Sequence, residues 1–266
     1  MSQEIYATQE MPPAGRYRER KIKLPILYYH RVEENVPFAK GISPRIFATQ
    51  MEYLWKRGYH SVSFDDLADH LLVGRPLPSR PFIISFDDGY IDHFTRAYPV
   101  MKRYGFTATI FIPSAFIGRK SEWEGCTGED VVPLMSYENI QAMLADGFQF
   151  GAHTQSHKNL ISLPAEEARD EVEQGKKELE ELLQKPVGCF AYPFGNFNQE
   201  IIGIVKNAGF TTARTVHTGN THRRDDLLTL RCVQLNGNTS RKFKYYLTGL
   251  YNLETNWHEW RKRSKL

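Results

Sequence analysis

Phe82-Ile83-Ile84-Ser85-Phe86-Asp87-Asp88-Gly89-Tyr90 sets a short, nearly unbroken apolar run directly before two adjacent carboxylates and a glycine. A run this short, rich in β-branched and aromatic residues, is the pattern of a strand buried on both faces. The same form recurs at residues 24–29, 107–112, 149–151, 189–192 and 211–213, and a last strand is expected around Leu230-Arg231-Cys232-Val233. The segments between these runs have helical period. Phe47, Met51, Leu54 and Trp55 fall on one stripe behind Ser43 as N-cap and Pro44 at the first helical position. Ala168, Val172, Leu179, Leu182 and Leu183 form another stripe, with Glu and Lys expected on the opposite side. Further helix starts are signalled by Ser63 with Asp66 and by Ser136, and Gly58, Gly105, Gly147 and Gly209 sit where helices should stop.

Strand alternating with helix means a parallel sheet with crossover helices, either open or closed as a barrel. In both forms the chemistry belongs at the carboxyl ends of the strands, and that rule selects which polar residues matter. No repeat or linker divides the chain. The expected organisation is one domain over residues 23–250, between an N-terminal arm (1–22) and a basic C-terminal tail (251–266) that includes Trp257, Trp260 and Arg261-Lys262-Arg263.

Composition narrows the classes. Of 266 residues 41% are hydrophobic, enough for a core that needs no disulfide staples. Lys plus Arg is 34 and Asp plus Glu is 31, and a net +3 is too weak to indicate a nucleic-acid partner. No apolar run approaches the ~18 residues of a transmembrane segment. The opening MSQEIYATQEMPPAGRYRERKIK has no apolar h-region, so the expected location is cytoplasmic, or envelope-associated if a leader has been removed. Three cysteines, an odd number without C-x-x-C spacing, argue against both a disulfide framework and a thiolate zinc site.

Four strand ends carry candidate chemistry. Asp87 and Asp88 repel each other where a site should open, which favours a shared cation or separated pKa values; the alternative is a turn with a helix cap. Phe150-Gly151-Ala152-His153-Thr154-Gln155-Ser156-His157 ends a strand in two histidines four residues apart, a chelate for a divalent metal. One Asp and two His make three ligands and leave the coordination open, as catalytic rather than structural sites do. The remaining Asp is then available as a base on the attacking water. Ala191-Tyr192-Pro193-Phe194-Gly195 forms a turn able to expose a backbone N–H as an oxyanion donor, and Tyr28-Tyr29-His30-Arg31 puts His30 at the right end of the sheet for an acid. Trp123, in an irregular stretch, joins Tyr192 and Phe194 as candidate aromatic surface for a ligand.

With these motifs the chain resembles the polysaccharide deacetylases of the NodB type, carbohydrate esterase family 4, from about Leu24 to Val233. It is most similar to the circularly permuted branch that acts on poly-β-1,6-N-acetylglucosamine. The resemblance implies an irregular (β/α)₇ barrel of parallel strands. It implies Asp87 as general base; Asp88, His153 and His157 as ligands of a divalent metal, zinc first, with cobalt, nickel or iron accepted; Tyr192, Pro193 and Phe194 lining the sugar pocket with the Phe194 N–H towards the oxyanion; and His30 as acid, since the permuted branch carries its acid in an N-terminal Tyr-His element. Many members orient the base with an Arg where this chain has Ala191, so Arg231 is expected to substitute, with Arg214 as the other candidate. The implied function is removal of N-acetyl groups from an N-acetylglucosamine polymer or oligomer, without a nucleic-acid partner. Hydrolysis of another amide, ureido or O-acetyl bond on the same scaffold is the alternative, and a non-catalytic carbohydrate-binding barrel is the reading from another class.

Overall fold

The computed structural model describes residues 20–248 other than 35 and 38. Residues 1–19 of the expected arm and the tail at 251–266 lie outside the described residues. Seven strands form the frame: Ile26–Tyr29 (β1), Pro81–Phe86 (β2), Thr109–Ile112 (β3), Gln149–Ala152 (β4), Cys189–Ala191 (β5), Thr212–Thr218 (β6) and Leu230–Gln234 (β7). Each pairs in parallel with its neighbours in the chain, and β7 pairs with β1, so the sheet closes into a barrel. The fold is therefore a (β/α)₇ barrel of the α/β class.

The period-2 alternation of the strands separates two cores. Leu27, Tyr29, Ile84, Phe86, Ile110, Ile112 and Val233 face outwards to the helices. Ile26, Tyr28, Ile83, Phe111, Cys189, Ala191, Leu230 and Cys232 face inwards, where Phe64, Leu67, Ala68 and Leu71 join them. Continuing the inward parity past the strand ends gives His30 from β1, Asp87 from β2 and His153 from β4. Register makes the ends level: Tyr29 pairs with Phe86, and Ile112 with Ala152, which in turn pairs with Phe190.

The helices follow their caps. Pro44–Lys56 (α1) starts at Ser43, whose side chain accepts from the Ile46 N–H. Phe64–Val73 (α2) and Tyr137–Ala145 (α4) open with reciprocal capping boxes, Ser63 with Asp66 and Ser136 with Asn139. Tyr98–Arg103 (α3), Ala165–Leu183 (α5), Gln199–Asn207 (α6) and Phe243–Thr248 (α7) complete the set.

Three features differ from expectation. Trp55 is 55% exposed although it follows the buried Phe47, Met51 and Leu54, because the stripe has rotated past the contact with the barrel by its last turn. On α5, Glu171 and Gly175 are buried beside Ala168, Val172 and Leu179, so the charged side is not wholly outside. Lys21 and Ile22, assigned to the arm, form a strand with Lys23 that pairs antiparallel to Thr221–Arg223; this ribbon, with a short 3₁₀ turn, stands between β6 and β7 in place of a helix. Among the described residues no helix is long and apolar enough to cross a membrane.

Candidate active site

Asp88, His153 and His157 converge. The Asp88 Oδ1 lies 3.2 Å from His157 Nε2 and 3.6 Å from His153 Nε2, and one donor atom from each residue falls within 4.8 Å of the others. Ligand bonds of about 2.0–2.2 Å in tetrahedral geometry keep donors about 3.4 Å apart, so the spacing fits a divalent ion. Hydrogen bonding agrees. Asp88 Oδ1 is buried with no hydrogen-bond partner, as is His157 Nδ1. A buried carboxylate oxygen without a donor is costly, and a cation would satisfy it. The His153 Nδ1 instead meets the Ala191 carbonyl at 2.7 Å, which fixes the ring with Nε2 towards Asp88 in the manner of an outer-sphere partner.

Electrostatics suit both kinds of side chain to hold a cation. Burial alone would raise the Asp88 carboxyl; the close approach and charge of His157, and then His30 and His153, hold it well below the usual carboxylate range. Burial, reinforced by His157, lowers His153 to about 4. Its imidazole is therefore neutral at neutral pH, with a lone pair for a metal.

The backbone is unusual at the same place. Of six non-glycine residues with positive φ among the described residues, four are here: Asp88 (75°), Thr154 (63°), His157 (61°) and Phe194 (59°). Such conformations cost of order 1–3 kcal/mol each and persist where surrounding structure enforces them. Within the His153–His157 loop, the Thr154 hydroxyl accepts from the His157 N–H at 2.9 Å.

Asp87 stands beside the triangle. Burial would raise its carboxyl as well; Arg214 first, then His153 and His30, bring it below the ordinary value. The Arg214 guanidinium donates to Asp87 Oδ1 from inside the barrel. The expectation of Arg231 is thus corrected. Arg231 donates to the Thr218 carbonyl at 3.4 Å, on the exposed side of β7. Register explains the exchange: Arg214 pairs with Ala191, so the two point to the same side and the small Ala191 leaves room for the long side chain arriving from the next strand.

His30 Nε2 lies 4.0 Å from Asp87 Oδ2. The segment that bears it is framed by residues that sequence reasoning missed. The His93 ring bonds the His30 carbonyl, Asp92 pairs with the Arg31 side chain, and Asp92 also accepts from the Val32 N–H at 2.9 Å. Asp92-His93 follows the Asp87-Asp88-Gly89-Tyr90 motif directly, and that proximity was the only sequence signal for it.

Aromatic residues complete the walls. The Trp123 ring centroid is 4.6 Å from that of His157, and Phe194 lies 4.9 Å from His157 on another side. Phe194 is 54% exposed, whereas Tyr192, expected as stacking surface, is 2% exposed. The Tyr192 ring packs on Phe190 and Phe197, and its hydroxyl bonds the Leu228 carbonyl at 3.0 Å, so it belongs to the cavity floor. The Pro193–Gly195 turn is closed by the Gly195 N–H to Tyr192 and the Asn196 N–H to Pro193, and not by Phe194. A cavity of 620 Å³ joins Asp87, Asp88, His153, His157, His30 and Phe194. A neighbouring space of 410 Å³ shares His30, Trp123 and Phe194 with it and extends to Tyr90 and Glu124.

The profile of the family described as "Polysaccharide deacetylase" matches residues 74–213, more than half of the chain. The chain belongs to this family. Among relatives of this polysaccharide deacetylase, YxkH of Bacillus subtilis (strain 168), which bears the family's name, is 27% identical over 237 residues, covering 87% of this chain and 78% of YxkH. The poly-beta-1,6-N-acetyl-D-glucosamine N-deacetylase of Staphylococcus aureus (strain MRSA252) is 26% identical over 180 residues, covering 64% of this chain. The chain spans 59% of that relative's length and 33% of its namesake from Escherichia coli (strain K12). The structure of IcaB from Ammonifex degensii superposes with a TM-score of 0.74 at 26% identity, covering 85% of this chain and 97% of IcaB.

Proposed function

We propose that this deacetylase is a metal-dependent amide hydrolase that removes N-acetyl groups from an N-acetylglucosamine-containing polysaccharide, releasing acetate and leaving a free amine. The observation that carries the reading is the Asp88–His153–His157 triangle, whose donors are spaced for one ion, set beside an Asp87 held ionised by Arg214. A divalent cation held by these three residues supplies Lewis acidity, both to acidify water and to polarise a carbonyl. Two imidazoles and one carboxylate suit zinc and also accept cobalt, nickel or iron.

The rest is done by the chain. Asp87 accepts the proton of the attacking water; its ionised form is the one that Arg214 favours. His30, as imidazolium, donates to the departing nitrogen, since an amine anion is too poor a leaving group. The Phe194 N–H, turned by its left-handed backbone, is the donor for the developing oxyanion. Phe194 and Trp123 offer ring faces to a pyranose, and the two joined cavities suit a substrate longer than one sugar. The names of the S. aureus and E. coli relatives support a β-1,6-linked N-acetylglucosamine polymer.

The test is acetate release from β-1,6-N-acetylglucosamine oligomers by protein whose metal content has been measured. Stoichiometric acetate and free amine are expected, abolished by chelation and restored by zinc or cobalt. Release of ammonia or carbamate from ureides, or of acetate from O-acetylated xylan alone, would move the function to the other bond types. Turnover undiminished after complete metal removal would reject the metal role.

A further inference from the structure

The loop that carries His157 is held from behind. Thr154, Gln155 and Ser156 lie between the two histidines; the turn after β3 holds their carbonyls (Ser114 N–H to Thr154 at 3.4 Å, Ala115 N–H to Gln155 at 3.0 Å), and α5 holds their other side. Glu171 of α5 is only 7% exposed and sits on the apolar stripe between Ala168 and Val172 on one side and Gly175 on the other. Its carboxylate accepts from the Ser156 N–H at 2.8 Å and from the Ser156 hydroxyl at 2.5 Å. The Glu171 carbonyl accepts from the Gln155 N–H at 2.9 Å, although a carbonyl inside a helix ordinarily serves only the helix. Seven residues on, Glu178 takes the Gln155 side-chain amide at 2.5 Å and the Ser114 hydroxyl at 2.6 Å.

Gly175 lets this happen. A Cβ there would stand 2.5 Å from the Thr154 carbonyl carbon and 2.7 Å from the Gln155 nitrogen, so helix backbone and loop backbone touch only because the side chain is missing. The loop needs such support, since Thr154 and His157 both hold left-handed φ. Glu171 is also poorly suited to its stripe if packing were its task. A leucine would bury more apolar surface, and a buried carboxylate is tolerable only with its hydrogen bonds made. Among the described residues the hydrogen bonds of this carboxylate both go to Ser156, next to His157, and its ion-pair partner is Lys158 at 3.8 Å, just past that histidine.

We infer that Glu171 is a positioning residue of the metal centre: through Ser156 it locks the loop in the left-handed path that aims His157 at Asp88, with Gly175 setting the depth of the loop and Glu178 tethering Gln155. The inference rests on the proposed metal role of His157.

The experiment measures Zn²⁺ affinity by chelator competition, the visible spectrum of the Co²⁺ form, and the urea midpoint of the metal-free full chain. Wild type is compared with Glu171→Leu, Glu171→Gln and Ser156→Ala. The Leu variant is expected to bind Zn²⁺ about 10–100-fold more weakly, the range seen when an outer-sphere partner of a metal ligand is lost. Its Co²⁺ spectrum should change, while its metal-free midpoint is unchanged or raised. Gln, which keeps one acceptor, should recover part of the affinity, and Ser156→Ala should weaken binding in the same direction. Should the Leu variant fail to fold, the Gln and Ala variants decide. Wild-type Zn²⁺ affinity and Co²⁺ spectrum in these variants overturn the inference and leave the metal reading intact. A wild-type chain that takes up no ion at this site overturns both.

Discussion

Arg214 and Asp87 form an ion pair across the inside of the barrel, with the guanidinium on β6 and the carboxylate just past β2, both side chains almost wholly buried. The guanidinium also lies over the Tyr28 ring at 4.4 Å and the Phe111 ring at 5.4 Å. Two charges removed from water are stable here because each satisfies the other, and neither is tolerable alone.

Arg214→Met should accordingly do two kinds of damage. Leaving Asp87 buried without its cation is expected to cost roughly 3–5 kcal/mol, read as a lowered urea midpoint, and to cut turnover severely. The double variant Asp87→Asn with Arg214→Met should be less destabilised than Arg214→Met alone, since it buries no unpaired charge. Equal destabilisation in the two would show that the pair is not what supports this part of the barrel. Arg231→Met should leave turnover near wild type.

Asp87→Asn separates base from ligand. The variant should keep its metal, measured by elemental analysis, and lose deacetylation. Asp88→Asn should lose the metal as well, because Asp88 Oδ1 is the atom that faces both imidazoles. Wild-type acetate release by Asp87→Asn would remove Asp87 from the role of base.

His30→Ala should lower kcat by about 10²–10⁴-fold, the usual range for a proton donor, with metal content unchanged. Substrates with better leaving groups, such as aryl acetates, should suffer less, because they need less help at departure. An unchanged rate on the N-acetyl substrate would place the acid elsewhere.

Gly195 pins the Phe194 turn. Its φ is 70°, and a Cβ there would stand 2.2 Å from Val216 Cγ2. Gly195→Ala is expected to destabilise by more than ~1 kcal/mol, since alanine at positive φ is strained whatever the space, and to reduce kcat/KM by displacing the Phe194 N–H. Adding Val216→Ala should recover part of the stability by removing the clash and none of the cost of the backbone angle. Full recovery would mean that the collision alone mattered.

His222 makes acid stability measurable away from the Asp88–His153–His157 cluster. Burial lowers it to about 4, with the Leu24 carbonyl, which accepts from its Nε2 at 2.9 Å, opposing the shift. The unfolded chain takes up a proton at about 6.5, so the contribution of the neutral ring is complete above that pH. It declines as pH falls to about 4, by on the order of 3 kcal/mol in total. His222→Gln, which cannot titrate, should show a shallower loss of unfolding free energy across that window. Parallel curves for the two proteins would refute the assignment.

Much of the site is legible in the sequence. The apolar runs at residues 82–85, 107–112 and 189–192 mark strands because burial on both faces demands them, and parallel strands align their carboxyl ends. Asp87, Asp88, His153, His157 and His30 could therefore be placed on one rim from local pattern, aided by resemblance. Tyr192 and Trp55 went the other way, since whether a ring is open or covered depends on its neighbours and not on its own position in a motif. Glu171 was hidden for the same reason: a glutamate among glutamates on a helix looks like solvated surface until its partner Ser156 is seen.

Sequence alone marked the barrel strands, several of the helices and the end of the sheet that carries the polar motifs, because periodicity and strand-end position are properties of the chain taken a few residues at a time; the Lys21–Lys23 ribbon escaped it. Only the closed barrel decided that Arg214 rather than Arg231 meets Asp87, that Trp123 closes over His157, and that α5 bonds the loop between His153 and His157. Those outcomes depend on register between strands and on contacts between residues far apart in the chain, where one residue of slip would turn each side chain to the opposite face.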